Sequence, residues 1–170
     1  MLKPPVTIDT LMKEWSEDSI IDSTAMEKET LRISFLHGKY LNIMSFHRHL
    51  AKKTEAEYKI LKDIKSDYYN GRLSFDDLKE RNWDPIQHRY TNREIDEKMQ
   101  GDTDLNKMLL KKIAHEEIVS YCEFVLKSLN SRTWDLRNYV EYLKYTNPNT
   151  KKLKVILVEK NDDCYKHLKN

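Results

Sequence analysis

The chain has 170 residues and a formal charge of +2, with 34% charged and 39% hydrophobic residues. A charge this close to balance excludes a uniformly polycationic protein, so any basic surface must come from local segregation of charge. Two cysteines without framework spacing, and no apolar run near the about 18 residues of a membrane span, favour a cytosolic protein that is neither secreted nor membrane-bound. With only 3 Gly and 4 Pro, the chain is expected to be all-α.

The first predicted element is a short amphipathic helix from Thr7 to Asp18, after an irregular leader from Met1 to Pro5. Thr7 or Asp9 is expected to cap it. Its apolar side is formed by residues at helical spacing, namely Ile8, Leu11, Met12 and Trp15. We expect Trp15 to anchor this helix on the next one, because a large aromatic side chain buries much apolar surface.

The central element is a predicted helix of nearly fifty residues, from Ser23 to Gly71, which contains no proline. Ser23 or Thr24 is expected to cap its start, and Asn70-Gly71 is typical of a left-handed C-cap. Such a helix would be about 70 Å long, so it must pack against another element. Apolar and aromatic residues at coiled-coil spacing predict a partner helix, and these are Ile33, Leu36, Tyr40, Ile43, His47 and Leu50.

Beyond Phe46 the long helix becomes locally positive, with tyrosines between the basic residues. The candidate DNA-binding residues are Arg48, Lys52, Lys53, Lys59, Lys62, Lys65, Tyr68, Tyr69 and Arg72. One interpretation is a solvated helix face with i,i+4 ion pairs such as Glu55 with Lys59. The other is a track for a phosphate backbone, with tyrosines that stack on unpaired bases. Both interpretations stay open at this point.

The middle segment, residues 72–102, is expected to be irregular apart from a short helix from Phe75 to Arg81. It contains a loop around Trp83 and a basic patch formed by His88, Arg89 and Arg93. The run Gln100-Gly101-Asp102-Thr103-Asp104 predicts a turn and an N-cap for the following helix.

The C-terminal section is predicted to contain a helix from Leu105 to Leu129, a hinge at Asn130-Ser131 and a third helix that ends near Tyr145. These helices are also predicted to hold identical subunits together in a homo-oligomer. The candidate oligomerisation residues are Ile118, Tyr121, Cys122, Val125, Leu126, Leu129, Trp134, Leu136 and Val140. Residues 1–146 are expected to form one helical domain, and the tail, residues 147–170, is expected to be disordered or strand-like.

The sequence contains no recognisable catalytic constellation. His115-Glu116-Glu117 lacks the second histidine of a zinc-protease helix, and there is no glycine-rich phosphate loop. His47 and His49 lie about 200° apart around one helix, so they cannot share a metal ion. We therefore expect no enzymatic activity, no cofactor and no metal site.

Three pieces of the sequence resemble the UvsY-type recombination mediator proteins of T-even-like phages. These are Ile21-Asp22-Ser23-Thr24 at the start of the long helix, Asp67-Tyr68-Tyr69-Asn70-Gly71-Arg72 at its end, and Tyr121-Cys122 followed by Ser131-Arg132. Their order and spacing match the family pattern, and the resemblance extends from about Ile8 to Asn147.

The resemblance implies a non-enzymatic protein that binds single-stranded DNA and forms a closed homo-oligomer of six or seven subunits. Such proteins help a RecA-like phage recombinase to displace the phage single-strand-binding protein during homologous recombination, repair and recombination-dependent replication, in the cytosol of the infected bacterial host. The family's Lys-x-Arg DNA-contact motif falls on Asp63-Ile64-Lys65, with Lys62 and Lys59 as the nearest substitutes for its lysine. A structural or adaptor coiled-coil protein without nucleic-acid binding is the alternative.

Overall fold

The computed structural model describes residues 7–22 and 24–146, and this part of the chain forms five helices. They are α1 (Ile8–Asp18), α2 (Met26–Tyr69), α3 (Phe75–Arg81), α4 (Asn92–Gln100) and α5 (Thr103–Thr146). Helices account for 83% of the described residues, which contain no strand, so the all-α prediction is confirmed. Among the described residues, no helix is long and apolar enough to cross a membrane. The predicted leader and the predicted tail lie outside the described residues.

Helix α1 begins and is anchored as the sequence predicts. Thr7 and Thr10 form a capping box, in which each side-chain oxygen accepts a hydrogen bond from the other residue's backbone N–H. Leu11 is fully buried, and the Trp15 ring meets the Tyr40 ring edge-on at a centroid distance of 5.6 Å. These contacts fix α1 against α2 through the apolar side that the spacing indicated.

The start of α2 differs from the prediction. The helix begins at Met26, and the Asp22 carboxylate accepts hydrogen bonds from both the backbone N–H and the hydroxyl of Thr24. Thr24 therefore does not cap α2, because its hydroxyl is engaged in this local turn. Ser23 lies outside the described residues. Glu27 and Glu29 lie in the first turn of α2, where the helix dipole favours negative charge.

The end of α2 matches the prediction. Gly71 has a positive φ of 66°, which an L side chain adopts only with strain. The N–H of Arg72 donates to the Asp67 carbonyl, and the N–H of Gly71 donates to the Tyr68 carbonyl, each at 2.9 Å. These two bonds make a Schellman motif that closes the helix.

Two predictions for the second half of the chain are wrong. The middle segment contains an additional helix, α4, which starts with a capping box between Thr91 and Glu94. Helix α5 runs without a break through the expected hinge at Asn130-Ser131. Its buried face continues past that point with Arg132 and Leu136, so tertiary packing outweighs the modest helix propensity of Asn and Ser.

The described residues fall into two compact units. The first combines residues 7–19 with 38–125, and the second combines residues 20–22 and 24–37 with 126–146. In the first unit α2 and α5 lie antiparallel, with cross-helix contacts from His47 to His115 and from Arg48 to Glu123. The predicted seam of α2 thus finds its partner helix within the same chain. One helical domain over residues 1–146 stays a prediction.

Candidate nucleic-acid interface

Lys65 is buried where α2 ends beside the start of α5. Its side chain is 7% exposed, and its ammonium lies 2.9 Å from the carboxylates of both Asp102 and Asp104. The ring of Trp83 is centred 4.2 Å from the same ammonium. Burial alone would lower the pKa of Lys65, but hydrogen bonds and charges from the two aspartates outweigh it and raise that pKa. Lys65 stays charged and paired, so it does not offer its charge to a phosphate in this conformation.

Asp102 organises this junction from the opposite side. One carboxylate oxygen accepts from the backbone N–H groups of Asp104 and Leu105 and caps α5, as the sequence predicts. The other oxygen pairs with Lys65 and accepts from the Tyr69 hydroxyl at 2.9 Å. Burial would raise the pKa of Asp102, but these hydrogen bonds outweigh it and hold that pKa below its usual range. A fully engaged carboxylate therefore locks the two long helices together.

The two predicted stacking residues are also engaged within the chain. The Tyr69 hydroxyl is held by Asp102, and burial together with that contact raises the pKa of Tyr69. The Tyr68 hydroxyl donates to the Asp84 carbonyl at 3.0 Å, and its ring lies 5.0 Å from the Trp83 ring. Both tyrosines are half-buried and support the junction through their hydroxyls, and Tyr68 does so also through its ring.

The other predicted basic residues of α2 are exposed but largely balanced by acidic neighbours. Arg48 pairs with Glu123 at 2.9 Å, Lys59 pairs with Glu55 at 3.0 Å, and Lys53 lies 3.9 Å from Glu57. Lys52 and Lys62 are exposed and have no ion-pair partner within the part of the chain that the structure describes. The groove beside Arg48 and Lys52 is lined by three glutamates, Glu55, Glu116 and Glu123, which weaken its attraction for phosphate.

A second groove, hereafter the terminal groove, lies at the C-terminal end of α2 and has a volume of about 570 Å³. Its described lining includes no acidic residue and consists of Tyr69, Asn70, Gly71, Arg72, Ile86, Gln87, His88, Arg89 and Tyr90. Arg72 is exposed, with Asp67 at 3.8 Å, and Arg89 makes no ion pair or hydrogen bond with any described residue. Arg72, a predicted DNA-binding residue, therefore lies beside a basic loop with His88 and Arg89, which were not among the candidate DNA-binding residues.

The sequence carried a weak signal for this loop, because His88, Arg89 and Tyr90 follow one another directly. Only the fold places them against the end of α2. A loop has no periodicity, so its neighbours cannot be inferred from spacing.

Five of the nine predicted oligomerisation residues lie in the chain's own interior. In the first unit these are Ile118, Cys122 and Val125, and in the second unit they are Leu129 and Leu136, none more than 7% exposed. Burial raises the pKa of the Cys122 thiol to about 11. The broad apolar face of α5 is therefore used to pack its own subunit, which corrects the predicted role of these five residues.

The remaining four residues of that set are at least partly accessible. Tyr121 and Leu126 are half-buried, Val140 is 38% exposed and Trp134 is 64% exposed. An exposed tryptophan is a typical component of a protein interface. Of the predicted assembly residues, Trp134 and Val140 are thus the ones most available to another subunit.

A pair of histidines lies inside the first unit. The Nδ1 atoms of His47 and His115 are 3.2 Å apart, and the Nε2 atom of His47 is buried without a hydrogen-bond partner. Burial lowers the pKa of both side chains, and His115 lowers that of His47 further. Among the described residues no group of three or more His, Cys, Asp or Glu side chains could hold a metal ion.

The described residues form an all-α protein that is built on two 44-residue helices. Its terminal groove is cationic and has no acidic lining residue, so this part of the surface is suited to binding a polyanion. The sequence matches, over residues 14–149, the family described as "Recombination, repair and ssDNA binding protein UvsY". The chain therefore belongs to the UvsY family, and the resemblance found in its sequence is confirmed.

A known protein of the same name as the family resembles this chain in sequence and in structure. The recombination protein uvsY of Enterobacteria phage T4 is 24% identical over 131 residues, which cover 77% of this chain and 90% of that protein. Two crystal structures of the bacteriophage T4 recombination mediator protein UvsY match with TM-scores of 0.72 and 0.73, both at 23% identity. They cover 82% and 83% of this chain and 99% and 98% of the matched chains, so the helical fold is shared.

Proposed function

We propose that this protein is a non-enzymatic recombination mediator that binds single-stranded DNA. In this role it helps to load a RecA-like phage recombinase onto DNA coated by the phage single-strand-binding protein, and it acts in the cytosol of the infected host. The process would be homologous recombination, repair and recombination-dependent replication. The observation that carries the proposal is the family match over residues 14–149, whose description includes recombination, repair and single-stranded DNA binding.

The charge distribution supports DNA binding at particular places. Lys52 and Lys62 are exposed and unpaired within the described residues, and Arg72 and Arg89 line a groove without acidic residues. Each neutralised phosphate releases condensed counterions, so a few such cations give affinity that falls steeply with salt. Single-stranded DNA is favoured because its flexible backbone can enter a narrow groove and its bases are accessible.

One subunit carries only a modest number of free cations, so assembly matters for affinity. We propose a closed homo-oligomer of six or seven subunits, in which repeated sites act together on one strand. The second unit supports this, because it exposes several large apolar side chains on both of its helical parts. These are Leu31, Phe35, Trp134, Val140, Tyr142 and Tyr145.

Fluorescence anisotropy with a labelled oligonucleotide tests the DNA-binding part of the proposal. We expect tighter binding to the single strand than to a duplex of the same sequence, with affinity that falls as salt rises. A protein that binds neither form at low salt would contradict the proposal. It would favour the adaptor coiled-coil alternative, for which the glutamate-lined groove beside Arg48 provides a solvated, charge-balanced helix face.

A further inference from the structure

We propose that the terminal groove is a nucleotide subsite that holds one phosphodiester and one unstacked base of single-stranded DNA. This inference rests on the proposed function and deepens it. It moves the main contact from the long face of α2 to the end of that helix and the loop before α4. Of the predicted DNA-binding residues, Tyr69 and Arg72 line this groove.

The phosphate would be held by Arg72 and Arg89, which both line the groove. A guanidinium binds phosphate oxygens with two parallel hydrogen bonds, provided that its donors are not already occupied. Arg89 meets this condition, since it makes no ion pair or hydrogen bond with any described residue. Arg72 has only a long 3.8 Å contact to Asp67 between two solvent-exposed side chains, which a phosphate can replace.

The electrostatic contrast with the groove beside Arg48 decides between the two locations. That groove combines Arg48 and Lys52 with three glutamates, and Lys112 pairs with two of them, so its charges balance. The terminal groove combines two arginines with His88 and has no acidic side chain in its lining. A phosphate is therefore attracted more strongly to the terminal groove than to the other.

The base would be held by Tyr90 and His88, whose rings meet edge to face at an interplanar angle of 71° with centroids 4.4 Å apart. A base that has left its stack can lie against such an aromatic side chain. Asn70 and Gln87 also line the groove and offer amide donors and acceptors to a base edge. A paired base inside a duplex cannot reach these groups, so the subsite selects single strands.

The groove is held in shape by contacts on both of its sides. The Schellman motif at Gly71 fixes the end of α2, and the hydrogen bond from Tyr68 to Asp84 fixes the start of the loop. The capping box of α4 begins at Thr91, directly after Tyr90. A preformed groove loses little conformational entropy when it binds a ligand.

The subsite is tested with the full chain, a fluorescent oligo(dT) and two matched arginine variants. Arg89→Ala removes a guanidinium that lines the groove and makes no ion pair with any described residue. Arg93→Ala removes an exposed arginine that lies outside the groove and pairs with Glu97. Both changes remove one positive charge from the same region. We expect Arg89→Ala to weaken binding by about fivefold or more and to flatten the salt dependence, because a phosphate contact is lost. Arg93→Ala should stay within about twofold of the wild type.

Photocrosslinking of the wild-type chain provides a readout that does not depend on a variant folding. An oligonucleotide with 5-iododeoxyuridine, irradiated in the complex and mapped by mass spectrometry, should attach to Tyr90 or His88. Crosslinks confined to other regions would overturn the subsite, as would equal binding by the two arginine variants. In both cases wild-type DNA binding would leave the proposed function intact. If the wild-type chain bound no single strand, the proposed function and the subsite would both be overturned.

Discussion

Lys65 is a predicted DNA-binding residue, yet its side chain is buried in the protein and only 7% exposed. The sequence could show a positive charge there, but it could not show the two carboxylates from the start of α5 that bind it. A salt bridge between residues about forty positions apart depends on the fold, and no local pattern reveals it. In this chain Lys65 stabilises the helix junction, because its charge is paired with Asp102 and Asp104.

Substitution of Lys65 by alanine should destabilise the fold. Asp102, which is 6% exposed, would lose its charge partner while it stays buried, and such a loss costs about 3 kcal/mol. Lys62→Ala is the matched control, because Lys62 is exposed and unpaired within the described residues, and it should change stability by less than about 0.5 kcal/mol. Urea unfolding followed by circular dichroism gives both values. Equal stability of the two variants would show that the junction does not depend on the ion pair.

The pair formed by buried His47 and partly buried His115 predicts a loss of stability at mildly acidic pH. Burial lowers the pKa of His47 and His115 in the folded protein below the usual 6.5, so the unfolded chain takes up protons first as the pH falls. The free energy of unfolding should therefore be highest above pH 6.5 and should decrease as the pH falls through this value. His47→Gln should reduce that decrease, whereas His49→Gln, at an exposed position, should leave it unchanged. Unfolding free energies at pH 7.5 and 5.5 test this, and an identical decrease in all three proteins would contradict it.

At the scale of elements, local chemistry predicted the helix ends best. The Thr7 cap of α1, the bounds of α3 and the glycine stop of α2 all depend on a few neighbouring residues, and all are confirmed. The continuous α5 could not be predicted, because the apolar face that carries it past Asn130 is stabilised by packing rather than by propensity. For the same reason the sequence could not distinguish core residues of α5, such as Val125, from assembly residues.

Substitutions of Gly38 inside α2 and of Gly71 just after its end are expected to have opposite effects on stability. Gly71 has a φ of 66°, so Gly71→Ala should strain the Schellman motif and destabilise the protein by about 1 kcal/mol. Gly38 lies inside the helix, and a Cβ added there would meet open space. Gly38→Ala should therefore stabilise the protein by about 0.5 to 1 kcal/mol. Thermal unfolding measures both changes, and a stabilising Gly71→Ala would contradict the observed cap.

For the whole molecule, the candidate site was only partly predictable. Arg72, Lys52 and Lys62 are exposed, as the basic half of α2 suggested, while Lys65, Tyr68 and Tyr69 hold the structure together. The terminal groove depends on a loop packed against the end of α2, which a linear pattern cannot show. The α2 surface as a whole is thus a charge-balanced helix face, with a concentrated cationic site at its end.

The proposed role in recombinase loading is tested most directly by a presynaptic assay. Single-stranded DNA would first be coated with the phage single-strand-binding protein, and recombinase filament formation would then be followed by its DNA-dependent ATPase activity. The wild-type chain should restore this activity, and Arg89→Ala should restore it less well than Arg93→Ala. A chain that binds single-stranded DNA but does not restore recombinase activity on the coated strand would contradict the proposed loading role.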